Sequence, residues 1–79
     1  MSFAEEIKNV RLESLLSQEA LAHRLGVAFG TVNRWEAGRT LPTMDTMVSI
    51  LKFCEERGYD RQVMYNSWRQ DKESRKNGK

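Results

Sequence analysis

The sequence predicts an all-α fold with five helices, and two observations support this prediction. Apolar residues recur every three or four positions in several separate stretches, as they do along one face of a helix. No stretch alternates apolar and polar residues in the way that a half-buried strand does. A chain of 79 residues is long enough for one small domain with a single core.

The first two predicted helices are separated by a residue that can cap a helix. Ser17 can accept a hydrogen bond from the first turn of the second helix, which is expected over residues 18–25. Gly26 supplies the left-handed turn that ends this helix. The first helix is predicted from about Phe3 to Leu15 because apolar residues fall at helical spacing there: Phe3, Ile7, Val10 and Leu15.

The third helix is predicted from about residue 29 to residue 37. Val32 and Trp35 are expected to face the core, and Gly38 stops the helix. Helix, glycine turn and helix over residues 18–37 form the helix-turn-helix layout, whose second helix lies in the DNA major groove. This segment therefore predicts a nucleic-acid-binding function.

Two further helices are expected after the break at Pro42. Thr43 can cap a fourth helix over residues 44–56, and Asp60 can cap a fifth over about 61–69. The predicted apolar face of the fourth helix is Met47, Val48, Leu51 and Cys54. That of the fifth is Val63, Met64 and Trp68, which can either close the core or form a two-fold dimer seam.

The remaining residues, 70–79, are polar and charged and are expected to be a disordered tail. The predicted DNA-binding domain is therefore residues 1–69. Residues 69–79 carry a net charge of +3, whereas the whole chain carries +2. Overall charge is thus a weak argument for nucleic acid, and local clustering is a better one. Three arginines lie in or next to the two-helix segment: Arg24, Arg34 and Arg39.

Composition excludes several other classes of protein. No stretch approaches the ~20 apolar residues of a membrane span, and the first residues do not resemble a signal peptide. Cys54 is the one cysteine and His23 the one histidine, so no metal site or disulfide is expected. No nucleophile elbow, phosphate loop or paired carboxylates suggest an enzyme. We expect a cytoplasmic, non-enzymatic protein without a metal or other cofactor.

Several motifs keep a common spacing across residues 7–54. They are Arg11, SQEALA at 17–22, LGV at 25–27, TVNRWEAG at 31–38 and Pro42. Together these motifs resemble the phage-repressor (Cro-like, XRE) helix-turn-helix family. The resemblance implies a compact bundle of four to five helices that binds operator DNA, usually as a symmetric dimer and without a cofactor.

The resemblance also implies roles for individual residues. Gln18, at the start of the second helix, is expected to contact a DNA phosphate, as the physics of a helix N-terminus allows. Arg11 and Glu36 are expected to form a partly buried structural ion pair. The chain departs from the family pattern at Ala28, which has no hydroxyl to cap the third helix. It departs again at the two positions that follow, where Phe29 and Gly30 cannot hydrogen-bond a base edge.

The outward face of the third helix supplies the candidate base-reading residues. About 100° per residue places Gly30, Asn33 and Arg34 on one face, with Phe29 at its edge. Asn33 can pair with adenine, Arg34 can reach guanine or a phosphate, and Phe29 can pack on a thymine methyl group. Gly30 can allow the helix backbone to approach DNA closely. For each polar side chain, the alternative is an ordinary solvated helix face.

Residues around the third helix are candidates for backbone contacts. Thr31 can bond either a phosphate or its own helix, and Arg39 and Thr40 are expected near the sugar-phosphate backbone.

The sequence predicts double-stranded DNA as the partner and a homodimer at least on DNA, with repression of a promoter as the simplest mechanism. Two alternatives stay open: an antitoxin that binds DNA and a toxin together, and a protein-interaction module on the same scaffold. The second is suggested by the apolar Phe29 on an outward face.

Overall fold

The computed structural model describes residues 2–77, which form five helices and no strand. The helices are α1 (Phe3–Glu13), α2 (Gln18–Leu25), α3 (Phe29–Glu36), α4 (Met44–Glu56) and α5 (Arg61–Asn77). The prediction of an all-α fold is confirmed, and the bounds of α2 and α4 agree with the sequence prediction.

Side-chain caps explain why four of these helices begin where they do, and at the start of α5 the Asp60 carboxylate accepts a hydrogen bond from the Gln62 amide at 2.9 Å. Ser2 and Glu5 form a reciprocal capping box at the start of α1. The Ser17 hydroxyl accepts a hydrogen bond from the Ala20 amide at 3.0 Å, and the Thr43 hydroxyl accepts one from the Thr46 amide at 3.3 Å. Each bond satisfies an N–H group that the first turn of a helix would otherwise leave unpaired.

The core lies where α1, α3, α4 and α5 converge, with α2 packed on α3 and α4. Thirteen buried apolar side chains form it: Phe3, Ile7, Val10, Leu21, Ala22, Val32, Trp35, Met47, Ile50, Phe53, Cys54, Met64 and Trp68. Phe3 meets Trp35 edge to face, with 6.2 Å between the ring centroids. This contact fixes the C-terminal half of α3 against the start of α1.

Two predicted core positions are wrong. Val48 on α4 is 60% exposed and Val63 on α5 is 42% exposed. The buried face of α4 is centred instead on Ile50, Phe53 and Cys54, so Val48 lies at the side of the helix that faces solvent. Met64 and Trp68 are buried, so these two residues close the core of the chain itself.

The predicted end of α1 is also wrong, because the helix ends at Glu13. Leu15 has a φ of 60° and is 92% exposed. Its left-handed conformation reverses the chain, and the Leu16 amide donates to the Arg11 carbonyl at 3.1 Å. Leu16 packs against the core in the place that helical spacing had assigned to Leu15.

The helix α5 extends beyond its predicted end at residue 69. It continues to Asn77, so the expected disorder is wrong for residues 70–77, and positions 78 and 79 of that tail lie outside the described residues. The polar residues of this segment remain helical because their side chains form ion pairs and hydrogen bonds. Arg69 pairs with Glu73 one turn on, and the Asp71 carboxylate accepts a hydrogen bond from the Phe3 amide at 2.9 Å.

One buried group and one partly buried group carry perturbed pKa values. Cys54 is fully buried, and this burial raises the pKa of its thiol to about 11, so the thiol is neutral near pH 7. The Tyr59 hydroxyl donates to the buried Glu6 carboxylate at 2.5 Å. Burial, followed by this hydrogen bond, raises the pKa of Tyr59. The bond ties α1 to the turn before α5.

Within residues 2–77, no helix is long and apolar enough to cross a membrane. The same part of the chain holds no cluster of three or more side chains suited to a metal ion.

Candidate nucleic-acid interface

The helix-turn-helix is formed by α2, the turn at residues 26–28 and α3. Gly26 has a φ of 73°, which is the left-handed conformation that ends α2 and is favourable for glycine. On α3, Val32 and Trp35 are buried at 0% and 2% exposure, as predicted. The opposite face of α3 is open to solvent.

The open face of α3 brings together most of the candidate base-reading residues. Asn33 and Arg34 are exposed, and Phe29 is 56% exposed at the start of the helix. The Arg34 guanidinium lies back along the helix, 3.4 Å from the Thr31 hydroxyl. It also lies over Gly30, where an added Cβ would be 3.2 Å from Arg34 Nη1. Arg34 therefore covers part of the surface that Gly30 leaves open.

The start of α3 has no side-chain cap. Ala28 has extended backbone angles, φ −70° and ψ 149°, but offers no acceptor to the first turn. The Thr31 amide donates to the Ala28 carbonyl at 3.0 Å, so the N–H groups of Phe29 and Gly30 remain at the positive end of the helix dipole. The departure from the family pattern at Ala28 leaves donors that an anion can use.

A partly buried ion pair holds the other end of α3. Arg11 Nε and Nη2 donate to Glu36 Oε2 and Oε1 at 2.6 and 2.8 Å, and the two side chains are only 11% and 6% exposed. The hydrogen bond with Glu36 is the main cause that raises the pKa of Arg11. Arg11 Nη1 also donates to the Leu16 carbonyl at 3.0 Å. The pair that the resemblance implied is thus present, and it links α1, the following turn and α3.

Gln18 extends this ion pair to the open face of α3. Gln18 Nε2 donates to Glu36 Oε1 at 3.0 Å, and Gln18 Oε1 accepts from Asn33 Nδ2 at 3.2 Å. The resemblance implies a DNA phosphate contact for Gln18, and this bridge is an additional contact that the sequence does not predict. No local pattern could have indicated it, because the partners lie 15 and 18 positions away.

The four side chains Arg11, Glu36, Gln18 and Asn33 form one continuous hydrogen-bonded network, which we call the ion-pair network. Its inner end is nearly buried, and its outer end is the exposed amide of Asn33. Since every member has a partner, the network restricts the rotamers of Gln18 and Asn33 before any ligand binds. A restricted amide loses less conformational entropy when it contacts a base.

Arg39 and Thr40 are exposed in the α3–α4 loop, which is residues 37–43. Gly38 begins the turn with a φ of 76°, and the Arg39 amide donates to the Arg34 carbonyl at 2.9 Å. The carbonyl groups of Gly38 and Arg39 accept hydrogen bonds from Arg75 on α5, at 2.6 and 3.2 Å. Arg75 is not among the predicted site residues, because it lies in the polar segment that the sequence predicts to be disordered.

Arg24 does not lie with the other arginines. Its guanidinium pairs with Glu56 at 2.5 Å and stacks over the Phe53 ring, 5.3 Å from the centroid. It therefore faces α4, away from the open face of α3. The basic cluster predicted from the sequence is smaller than expected and consists of Arg34 and Arg39, with Arg75 added by the fold.

Comparison with known proteins agrees with this geometry. A family model described as helix-turn-helix matches residues 7–59. The HTH-type transcriptional activator BcrR of Enterococcus faecalis is 36% identical over 53 residues, which are 67% of this chain and 26% of that protein. Repressor protein C of Escherichia phage P2 is 37% identical over 51 residues, which are 65% of this chain and 52% of that protein.

The chain thus spans about a quarter and about half of the lengths of these two relatives. No solved structure is significantly similar to it.

Proposed function

The chain belongs to the XRE-type helix-turn-helix family, and we propose on that premise that it is a transcriptional regulator that reads duplex DNA through α3. The observation that carries the proposal is the division of α3 into two faces. Val32 and Trp35 anchor one face in the core, while Asn33 and Arg34 are exposed on the other. A helix anchored in this way can enter the major groove with its polar face toward the bases.

We assign base contacts to the exposed residues of α3. The Asn33 amide has a carbonyl and a second N–H group beyond its bond to Gln18, so it can still pair with an adenine edge. Arg34 can turn from the helix surface to reach a guanine edge or a phosphate. Phe29, 56% exposed, is suited to the methyl group of a thymine. Gly30 has no side chain, so the backbone of the first turn of α3 can approach the DNA closely at this point.

Contacts to the DNA backbone are proposed around the ends of α2 and α3. One N–H of the Gln18 amide is bound to Glu36, and the second remains for a phosphate oxygen. The Thr31 hydroxyl lies in the uncapped first turn of α3, so the hydroxyl and the N–H groups of this turn can contact phosphates of the same DNA strand. Arg39 and Thr40, in the α3–α4 loop, would contact the backbone at the other end of α3.

We further propose that two copies act together on an inverted repeat. One eight-residue helix reads only a few base pairs, so a monomer alone gains little specificity. Half-sites one helical turn apart are separated by about 34 Å. The molecule measures 35 × 25 × 20 Å, so two copies can lie side by side over such a site. As a bacterial or phage regulator, the dimer would act in the cytoplasm and repress by covering a promoter.

A binding selection tests this proposal directly. The protein is incubated with a random duplex library of about 30 base pairs at low and at near-physiological salt, and bound duplexes are sequenced. We expect enrichment of an inverted repeat with half-sites about 10 base pairs apart. Binding without sequence preference that vanishes as salt is added would contradict the proposal, since only phosphates would then be held.

A variant pair tests the assignment of residues. Gln18→Ala combined with Arg34→Ala should weaken binding to the selected duplex at least about tenfold, because one base contact alone is worth about 1–3 kcal/mol. Arg24→Ala is the matched control, since it removes an arginine of the same segment that faces α4. Equal affinities for both variants would show that α3 is not the reading helix.

A second candidate function is a protein-binding module, which the exposure of Phe29 favours. The same selection separates the two functions. Phe29→Ala should change the base preference at one position of the site if the ring meets a thymine. An unchanged selected sequence would remove Phe29 from the base-reading residues, and a protein contact would then be the remaining proposal for its exposed ring.

A further inference from the structure

One side of α5 holds the α3–α4 loop at two points. Trp68 and Arg75 are seven positions apart, which places them on the same side of the helix, two turns from each other. Trp68 Nε1 donates to the Pro42 carbonyl at 2.9 Å. Arg75 donates to the carbonyls of Gly38 and Arg39, at 2.6 and 3.2 Å. The loop is therefore bonded to α5 both near its start and near its end.

Between these two residues, Asp71 holds the start of α1. Its carboxylate accepts a hydrogen bond from the Phe3 amide, in the first turn of that helix. The two charged side chains thus lie at oppositely charged ends of two different helix dipoles. The Asp71 carboxylate lies at the positive N-terminal end of α1, and the Arg75 guanidinium lies just beyond the negative C-terminal end of α3. Because Asp71 fixes the last turns of α5 against α1, it also holds Arg75 in reach of the loop.

Arg75 differs from its neighbour Arg69 on the same helix. Arg69 is 63% exposed and pairs with Glu73, at 3.6 Å and within α5. Arg75 instead reaches residues 36 and 37 positions earlier in the chain. A guanidinium that donates to two carbonyl groups from a planar fork fixes their relative orientation, which a single ammonium cannot do. Arg75 lies beyond the family match at 7–59.

We propose that Arg75 is a positioning residue for DNA binding, which acts by holding the α3–α4 loop in the conformation that contacts the DNA backbone. The inference rests on the proposed function, in which Arg39 and Thr40 meet the phosphates. With Gly38 and Arg39 held by their carbonyl groups, the Arg39 side chain and the backbone between the two residues keep one orientation. Without Arg75, the loop samples other conformations, and only a fraction of molecules can bind.

The test compares Arg75→Met with Arg69→Met. Each substitution removes one positive charge from α5 and keeps an unbranched side chain that suits a helix. The first measurement is hydrogen exchange of the Arg39 amide in the free protein, with the Ile50 amide as a reference for global unfolding. The second is the dissociation constant for the selected duplex at a single salt concentration.

We expect Arg75→Met to accelerate exchange of the Arg39 amide while the Ile50 amide is unchanged. If the fraction of molecules whose α3–α4 loop is in the DNA-binding conformation falls to about a tenth, the dissociation constant rises about tenfold. Arg69→Met should leave exchange unchanged and raise the dissociation constant less than about threefold, as loss of one exposed charge does.

Three outcomes would overturn the proposal. Unchanged exchange at Arg39 would show that Arg75 does not hold the loop, and any loss of affinity would then reflect a direct contact with DNA. Faster exchange with an affinity equal to that of Arg69→Met would show that the held conformation is not needed for binding. Failure of the wild-type protein to bind any duplex would reject the proposed function and the loop's part in it. In that case, the exchange measurement still decides whether Arg75 holds the loop.

Discussion

The two helices of the helix-turn-helix have the same length but are positioned by different means. Helix α2 begins at a serine that caps it and ends at a glycine in the left-handed conformation. Helix α3 begins at Ala28, which provides no cap, and it contains Gly30. The C-terminal half of α3 is instead bound to the rest of the molecule, through Trp35 in the core and Glu36 in the ion-pair network.

This difference shows how a short recognition helix can be held in place although its first turn has no side-chain cap and contains a glycine. A cap would occupy the N–H groups that α3 can offer to a phosphate, and a larger side chain at Gly30 would fill the surface that is proposed to face DNA. Local stabilisation is therefore absent at the first turn of α3, where contact with DNA is proposed. Tertiary contacts at the other end of α3 supply the stability that the local sequence does not.

The largest expected effect comes from breaking the tertiary anchor of α3. Glu36→Ala leaves the Arg11 guanidinium nearly buried without its partner, which should lower the free energy of unfolding by about 3–5 kcal/mol. Urea unfolding monitored by circular dichroism measures this change. Glu56→Ala is the matched control, because its pair with Arg24 is exposed and should contribute at most about 1 kcal/mol. Similar losses in the two variants would mean that α3 does not depend on the ion-pair network.

A smaller effect is expected from removing the local cap of α2. Ser17→Ala deletes the hydroxyl that accepts from the Ala20 amide, and the free energy of unfolding should fall by about 1 kcal/mol. The same urea titration measures it. A variant as stable as the wild type would show that α2, too, is positioned by its neighbours alone.

Adding a cap at the start of α3 should raise the free energy of unfolding. Ala28→Ser introduces a hydroxyl at a position whose angles, φ −70° and ψ 149°, are close to those of Ser17 at φ −75° and ψ 168°. Serine can cap from this conformation without strain, so we expect a gain of about 0.5–1 kcal/mol in urea unfolding. A loss of stability would show that the first turn of α3 is held by something other than its own hydrogen bonds.

The smallest change in stability is expected at Gly30. Alanine favours a helix over glycine by about 1 kcal/mol, but the added Cβ lies 3.2 Å from Arg34 Nη1 and requires this mobile guanidinium to shift. Gly30→Ala should therefore raise the free energy of unfolding by roughly 0.5 kcal/mol. The same substitution should weaken binding to the selected duplex. A variant that gains stability and keeps full affinity would show that the backbone of α3 does not approach DNA at this point.

Much of the fold could be predicted from the sequence because local signals determine it. Ser17, Gly26 and Thr43 mark helix ends through their own chemistry, so the bounds of α2 and α4 could be predicted to the residue. The division of α3 into a buried and an exposed face follows from helical spacing alone, and the structure bears it out at Val32 and Trp35.

The remaining features depend on partners that are distant in the chain. Leu15 has a positive φ although leucine does not favour this conformation, and the packing of Leu16 together with its hydrogen bonds to Arg11 accounts for it. The last turns of α5 are too polar to give an apolar pattern, and the bond between Asp71 and Phe3 joins residues 68 positions apart. The same is true of the bridge from Gln18 to Asn33, which no local motif indicates.

The burial of both tryptophans provides an optical reporter of how the domain unfolds. Trp35 on α3 and Trp68 on α5 are 2% and 3% exposed, so their fluorescence arises from dry surroundings and shifts to longer wavelength in water. A single transition in the emission maximum would identify α3 and α5 as one cooperative unit. Two transitions, the first absent from a Trp68→Phe variant, would show that α5 separates before the helix-turn-helix unfolds. Intrinsic emission therefore records, without a label, whether the last helix is a structural part of the DNA-binding domain.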